Sequence, residues 1–349
     1  MAPRCSTLER MPKWLICVPL ALQWVWLALR YRSATLPSCA NPCITAGGLV
    51  GEGKMEYFAG MGAVARAATA PYIGVCAGPQ LDAASLTEAL GAAALRFPLV
   101  VKPDLGLCGY GVRRVACMTD LLAYLAAYPQ GESVVLQPYL AQEGEAGIFY
   151  ARDPDTGKAR LIGLALRYVP RVVGDGVRTI DALIDADPRA RRLRNGGKHQ
   201  AVGNGSRIPA AHEQVRLATI GSTRVGGLYR NGAALITPQL LAAIDAIARD
   251  MPQFYCGRFD VRFNTTEELA RGAGFTIIEV NGAGSEAIHA WDPDTSLLKG
   301  LAMVFAKQRV LFAIGAALRK RGAVPVALVA LYRYHRRQQA LIACYPPSN

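Results

Sequence analysis

The order of apolar and polar positions divides the chain into an apolar head, a mixed body and a basic tail. From Trp14 to Leu29 apolar residues run on with only Gln23 as a polar break and with Pro19 inside the run. The pattern predicts a helix, short of the ~20 apolar residues that a spanning helix uses. Residues 33–53 are rich in Ser, Pro and Gly and read as a linker or loop into the folded body. Shorter runs then alternate in character: a helix over Lys54–Ala68, a strand at Tyr72–Cys76, and a helix over Leu81–Leu90. A strand opens Phe97–Val112, a helix covers Leu121–Ala127, and Val134–Leu140 reads as a strand ending in a bend.

The second half opens on a hairpin, Glu145–Arg152 and Leu161–Tyr168, around the turn Asp153-Pro154-Asp155-Thr156-Gly157. Val172–Ile180 is a glycine turn leading into a helix over Asp181–Asp185, and the polar stretch 186–212 reads as a mobile loop. Pro238–Arg249 has Leu241, Ile244 and Ile247 at helical spacing. Two strands follow, Gly257–Phe263 and Phe275–Asn281. Beyond Trp291 the chain turns helical and basic, and its run Val324–Leu331 is too short to span a bilayer.

Composition narrows the partners. The 349 residues, 52% apolar and 19% charged, suffice for one large or two modest domains. A net charge of +13 suits an anionic partner: nucleotide, nucleic acid or acidic membrane. The cations are dispersed, with clusters at Arg189–Arg194 and Arg333–Arg337, and no aromatic-plus-basic module argues for nucleic acid. Nine cysteines include Cys39 and Cys43 without a second pair or nearby histidines, which excludes a standard zinc site. Reduced thiols in the cytoplasm are the expectation. Leu-Arg-Tyr-Arg closes the apolar head where a secretory signal would carry small residues. Trp14, Trp24 and Trp26 suit a membrane interface, and equally a helix docked on a protein core or on a second copy. The location expected is therefore cytoplasmic, with attachment to the inner face of the membrane if the helix is an anchor.

Candidate chemistry begins at Phe97–Val112. A buried strand delivers Lys102, one of eight lysines, to a turn holding Gly106, Gly109 and Gly111. Backbone amides in such a turn form an anion-binding concavity. The glycine order G-x-x-G-x-G is not the dinucleotide fingerprint, and no Ser or Thr follows the lysine as in a Walker A loop. The second stretch pairs Arg258-Phe259-Asp260 with Glu279-Val280-Asn281. Alternation puts Arg258 and Asp260 on one face of a strand, and Glu279 and Asn281 on one face of another. Placed side by side, they offer the oxygen donors that Mg²⁺ takes together with substrate phosphates. Glu279 interrupts an otherwise apolar strand, and an acid there needs a partner or a metal.

These stretches, with Gln137-Pro138-Tyr139-Leu140, Glu145, Val172–Ile180, Asp187-Pro188-Arg189 and Ser222–Gly227, resemble the ATP-grasp superfamily of carboxylate–amine ligases. The likeness, over about residues 50–300, is to the cyanophycin synthetase and D-alanine–D-alanine ligase branches, without their full N-terminal pre-ATP-grasp domain. The resemblance implies an α+β ATP-grasp fold, two α/β subdomains holding ATP between antiparallel sheets. Its divisions would be 1–50 (apolar helix and linker), 51–141 (N-terminal subdomain), 142–306 (C-terminal subdomain with the metal site) and 307–349 (basic helical tail). It implies that Lys54 and Lys102 bind ATP phosphates under the Gly106, Gly109 and Gly111 loop. Gln137, Tyr139, Leu140 and Glu145 would hold adenine and ribose. Asp260, Glu279 and Asn281 would hold Mg²⁺, with Mn²⁺ as a substitute, and Arg258 would act with Lys102 on the transferred phosphoryl. The implied reaction is ADP-forming: a carboxylate becomes an acyl phosphate and an amine displaces phosphate. A kinase of the same fold and a non-catalytic nucleotide-binding module are the alternatives. The implied partners are a small carboxylate and a small amine, with a membrane surface or an oligomeric contact left to the N-terminal helix. His199 and His289 are lone histidines that read as structural before they read as substrate contacts.

Overall fold

The computed structural model describes residues 7–194 and 204–349. His199 and part of the polar stretch 186–212 lie outside the described residues. The chain runs through α1 (Thr7–Arg10) and α2 (Lys13–Tyr31), then α3 (Lys54–Ala59), α4 (Ala63–Ala67) and β1 (Ile73–Cys76). Next come α5 (Ala83–Ala92), β2 (Leu99–Pro103), β3 (Arg113–Val115), α6 (Met118–Ala127) and β4 (Ser133–Pro138). The second half holds β5 (Gly144–Arg152), β6 (Ala159–Tyr168), β7 (Arg171–Val173), α7 (Ile180–Ala186), β8 (Gln214–Arg216) and β9 (Leu228–Asn231). It continues with α8 (Pro238–Arg249), β10 (Cys256–Phe263), α9 (Thr266–Ala270), β11 (Phe275–Asn281), α10 (Leu297–Lys320) and α11 (Leu328–Cys344).

The architecture is α+β. A four-stranded sheet in the order β1-β4-β2-β3 and a five-stranded sheet in the order β11-β10-β5-β6-β9 are both antiparallel throughout. Alternation explains the smaller sheet: Leu99 and Val101 on β2 pack with Leu86 of α5 and Leu121 of α6, while Val100 and Lys102 point the other way. On the larger sheet Ile148, Phe259 and Ile277 bury against Leu240, Ile244 and Ile247 of α8. Thr237 caps that helix by accepting from the Leu240 N–H, and Pro238 takes the first turn, where no donor is needed. The buried stripe starts at Leu240, and Leu241 lies at its margin.

Two readings are sharpened by the structure. Of linker or loop, the stretch 33–53 is a loop packed on the body: Leu36, Ala40 and Asn41 are fully buried. The Asn41 carboxamide donates to the carbonyls of Gly47 and Cys256 and accepts from the N–H groups of Tyr255 and Cys256, so irregular backbone is tied down at low cost. The helix over Lys54–Ala68 is two helices, because Gly62 breaks it and Asp250 takes up the freed N–H groups of Gly62 and Ala65. Helix α10 runs unbroken from Leu297 to Lys320.

Candidate active site: a charged cleft between the two sheets

The cleft between the sheets, with a cavity of about 300 Å³, collects residues from both halves. Lys54 opens α3, whose N–H donates to the Asp104 carbonyl, so the helix start is pinned to the end of β2. Its ammonium donates to the Pro103 carbonyl (2.9 Å) and lies 3.4 Å from Glu279 Oε1. Lys102 is buried and donates to Gln137 Oε1 (2.6 Å) and to the Ile278 carbonyl (2.9 Å). Burial draws its pKa down to about 8, against the pull of Glu279. Both lysines thus reach β11 of the larger sheet, Lys102 from β2 of the smaller sheet and Lys54 from the first turn of α3.

The acidic strands are neighbours in antiparallel register, with Arg258 opposite Asn281 and Asp260 opposite Glu279. Arg258 grips Asp260 with two bonds, Nε to Oδ1 (2.6 Å) and Nη2 to Oδ2 (2.9 Å). Arg167 on β6 adds a third at 3.0 Å, and Asn281 Nδ2 donates to the same carboxylate at 3.3 Å. Burial alone would raise the Asp260 pKa, but Arg258 and Arg167 hold it below the usual carboxylate range. Gly147 on β5 makes room, since a Cβ there would lie 2.9 Å from Arg258 Cδ. Glu145 is held between Arg167 (3.1 Å) and Arg262 (3.0 Å).

The remaining candidates fall unevenly. Gly106, Gly109, Gln137, Tyr139, Leu140 and Glu145 line the cleft. Gly106 is required by Lys54, whose Nζ a Cβ would approach to 2.7 Å. Gly111 does not line it: its φ of +70° starts the return strand, and a Cβ would meet Pro103 Cγ at 2.7 Å. The Tyr139 ring is covered by the guanidinium groups of Arg114 (4.9 Å) and Arg216 (6.0 Å). His289 is buried outside the cleft, edge-on to Phe149 at 5.2 Å, and burial drops its pKa to about 4. Arg189 also serves elsewhere, pairing with Glu9 of α1 (2.7 Å) and donating to the Gly227 carbonyl.

Sequence reading missed Arg167, Arg262, Glu52 and Gln338, all in the lining. Arg167 carries a readable signal, a cation ending the apolar run Leu164-Ala165-Leu166, of the same kind as Glu279 in β11. Gln338, whose amide donates to the Gly106 carbonyl (3.1 Å), sits on a polar helix with no pattern to mark it.

The donor set fits nucleotide and magnesium. The buried Gln137 Nε2 and Ser285 Oγ have no protein partner and line the cleft, as donors awaiting a ligand would. Glu279 and Asn281 offer a carboxylate and a carbonyl oxygen, hard donors of the kind Mg²⁺ takes with phosphates. Asp260 is more engaged, since both its oxygens already face guanidinium groups. Among the described residues no three His, Cys, Asp or Glu side chains converge on one metal position, so phosphate oxygens would have to complete the shell.

The class that fold and site define is an α+β protein with a cation-rich cleft between two antiparallel sheets. No protein-family model matches the sequence, and no curated protein matches it. Solved structures similar to the chain include D-alanine–D-alanine ligase from Bacillus anthracis, at TM-score 0.40 and 16% identity over 77% of this chain and 68% of that one. D-cycloserine synthetase DcsG aligns at TM-score 0.39 and 15% identity over 78% of this chain and 70% of its own. A bifunctional glutathione synthetase from Pasteurella multocida aligns at TM-score 0.36 and 17% identity over 73% of this chain, which spans 35% of that enzyme.

Proposed function

We propose that the chain is an ATP- and Mg²⁺-dependent, ADP-forming ligase of the ATP-grasp type, joining a small carboxylate to an amine. One observation carries the reading: Lys54 and Lys102, delivered beside a glycine loop, end against the strand that bears Glu279 and Asn281. Binding a nucleotide base and sugar does not need this set, whereas neutralising a triphosphate during phosphoryl transfer does. Lys54, Lys102 and the loop amides would hold the phosphates, and Gln137 Nε2 would donate to the base. Glu279 and Asn281, with Asp260, would hold Mg²⁺, which supplies charge neutralisation and orientation. A substrate carboxylate oxygen attacks the γ-phosphorus and ADP leaves. The amine nitrogen then attacks the acyl carbon, phosphate departs, and the amine proton passes to solvent or to the leaving phosphate. Arg258, fixed by Asp260, stands to stabilise negative charge in both steps.

The test is ADP release from the full chain across a panel of amino acids and short peptides, with and without an amine acceptor. Turnover that needs both a carboxylate and an amine supports the ligase. ADP release accompanied by a stable phosphorylated product makes the protein a kinase instead. Lys102→Ala and Glu279→Gln are each expected to cut turnover by about 100-fold or more. Unchanged turnover in both variants overturns the site.

A further inference from the structure

The cations of this chain are dispersed, but its acids are not. No Asp or Glu occurs in residues 10–51 or 295–349. The first segment holds Arg10, Lys13, Arg30 and Arg32. The second holds nine lysines and arginines, and together these thirteen equal the whole net charge of +13. The other 26 cationic residues are matched by the 26 acids. The two acid-free segments meet as α2 on α10. Gln308 donates to the Leu20 carbonyl (3.3 Å), Arg319 donates to that of Tyr31 (3.0 Å), and the Trp24 ring stands edge-on to Phe312 at 5.0 Å. The pairings 20 with 308 and 31 with 319 make the helices parallel.

Helix α2 is apolar on both faces. Leu27 is buried towards α10, with Trp24 and Ala28 beside it. On the far face Leu15, Val18, Leu22, Val25, Trp26 and Leu29 recur at helical spacing and stand exposed, Leu22 at 67% and Leu29 at 73%. Scattered exposed apolar residues are ordinary, but a continuous stripe of this length is not. By length and composition α2 and α10 could each cross a membrane. Parallel as they are, a bilayer crossed by both would leave the ends of the intervening body on opposite sides, and no third such helix occurs among the described residues. Moreover, Leu311, Phe312 and Leu318 of α10 are buried in the body's core, so α2 lies along the body and not away from it.

We propose that this face is a docking surface for an anionic lipid bilayer, with α2 in the plane of the interface. The stripe would enter the acyl boundary and the exposed Arg30 and Arg32 would meet headgroup phosphates. Trp14 and Trp26 stand exposed towards opposite ends of the stripe, where indoles suit the headgroup level. The Arg30 guanidinium lies over the Trp26 ring at 5.4 Å. At the same end the Val326 N–H donates to Ser38 Oγ, bringing up the exposed Val324 and Leu328. Charge selects the occupant. Arg321 and Arg337 are answered by Asp155 and Glu132 of the body, but the exposed Arg30 and Arg32 beside the stripe have no acid on α2 or α10. A second copy would bring these like charges together, whereas anionic lipid supplies the opposite sign.

The full chain is to be floated with vesicles of phosphatidylcholine alone and of phosphatidylcholine with phosphatidylglycerol, while indole emission is followed. Flotation with the anionic vesicles, weakened by salt and accompanied by a blue shift, is expected. The double variant Leu22→Glu, Val25→Glu changes exposed positions and is expected to lower partitioning by about tenfold or more. Its nucleotide turnover in vesicle-free buffer should stay at the parent level. Arg30→Gln with Arg32→Gln should weaken anionic binding about fivefold per arginine at an unchanged melting temperature, and decides the matter if the first variant misfolds. No flotation, or flotation indifferent to both variants, overturns the proposal. So does a dimer in sedimentation velocity that Leu22→Glu, Val25→Glu dissolves without any vesicle binding, since the occupant is then a second copy.

Discussion

Glu52 shows how burial alone can set a residue's behaviour. It sits between two glycines at the cleft edge, and its Oε2 is buried without a partner. Desolvation raises its pKa from 4.5 to about 7, with Lys54 opposing and Glu56 and Glu279 adding to the rise. The folded state therefore holds this proton more tightly than the unfolded chain does. The stability so gained is full below pH 4.5 and is lost as the pH climbs through about 7. Glu52→Gln keeps the shape and removes the titration. Denaturant titrations should show the variant and the parent alike below pH 4.5, and the variant more stable above pH 7. A parent–variant difference that stays flat across this window would count against the assignment. Nothing in Gly51-Glu52-Gly53 marks such a residue, because its pKa comes first from burial in the folded cleft, which the local sequence does not show.

Elements were legible where one local pattern also decided their packing. β10 is readable from alternation, with Arg258, Asp260 and Arg262 at the cleft. In β11 the register shifts beside Ile278, so that Ile277 is in the core and Glu279, two residues on, is in the cleft. Composition misled over residues 33–53, since Ser, Pro and Gly indicate irregular backbone but not exposure. The partner that buries this stretch is α10, more than 200 residues later. The glycine loop lies between these cases. Its turn was readable, but the separate duties of Gly106 and Gly111 depend on Lys54 and Tyr345 across the fold. At Gly106 a methyl group would come within 2.7 Å of the Lys54 ammonium and reach ordinary contact, 3.4 Å, with the Pro103 carbonyl. The far end of a flexible side chain can give way, so Gly106→Ala should leave stability within about 1 kcal/mol of the parent. The displaced ammonium would lose its place beside the phosphates, and KM for ATP should rise about tenfold, near the low end for a charge-assisted hydrogen bond. An unchanged KM at unchanged stability would remove Lys54 from the nucleotide site.

At the scale of the whole molecule, the last residues join the two halves of the cleft. Asn349 donates its N–H to the Val112 carbonyl and accepts from the Arg114 N–H (2.9 Å), while its own carbonyl accepts from Thr219 (3.0 Å). Arg224, with its guanidinium over the Tyr110 ring at 4.1 Å, donates to Ser348 Oγ and to the Gly109 carbonyl. Tyr345 donates its hydroxyl to the Leu105 carbonyl at 2.7 Å. The glycine loop is therefore tied to 219–224 in two ways, directly by Arg224 and through residues 345–349, and Thr219–Thr223 line the same cleft. Moving the glycine loop away from 219–224 would break these bonds, each contributing about 1 kcal/mol net in partly solvated surroundings. Removing Pro346–Asn349 keeps Tyr345, α11 and the direct contacts of Arg224 with the loop but cuts the ties through Ser348 and Asn349. Amide exchange over residues 105–113 should then accelerate roughly thirtyfold, equivalent to about 2 kcal/mol of local opening, while protection in α8 and β10 is retained. Nucleotide turnover should respond through KM for ATP more than through kcat, because the lysines and the acidic strands are untouched. Equal exchange in the loop before and after truncation would show that packing on Pro103 and Tyr345, and not the terminal hydrogen bonds, keeps it closed.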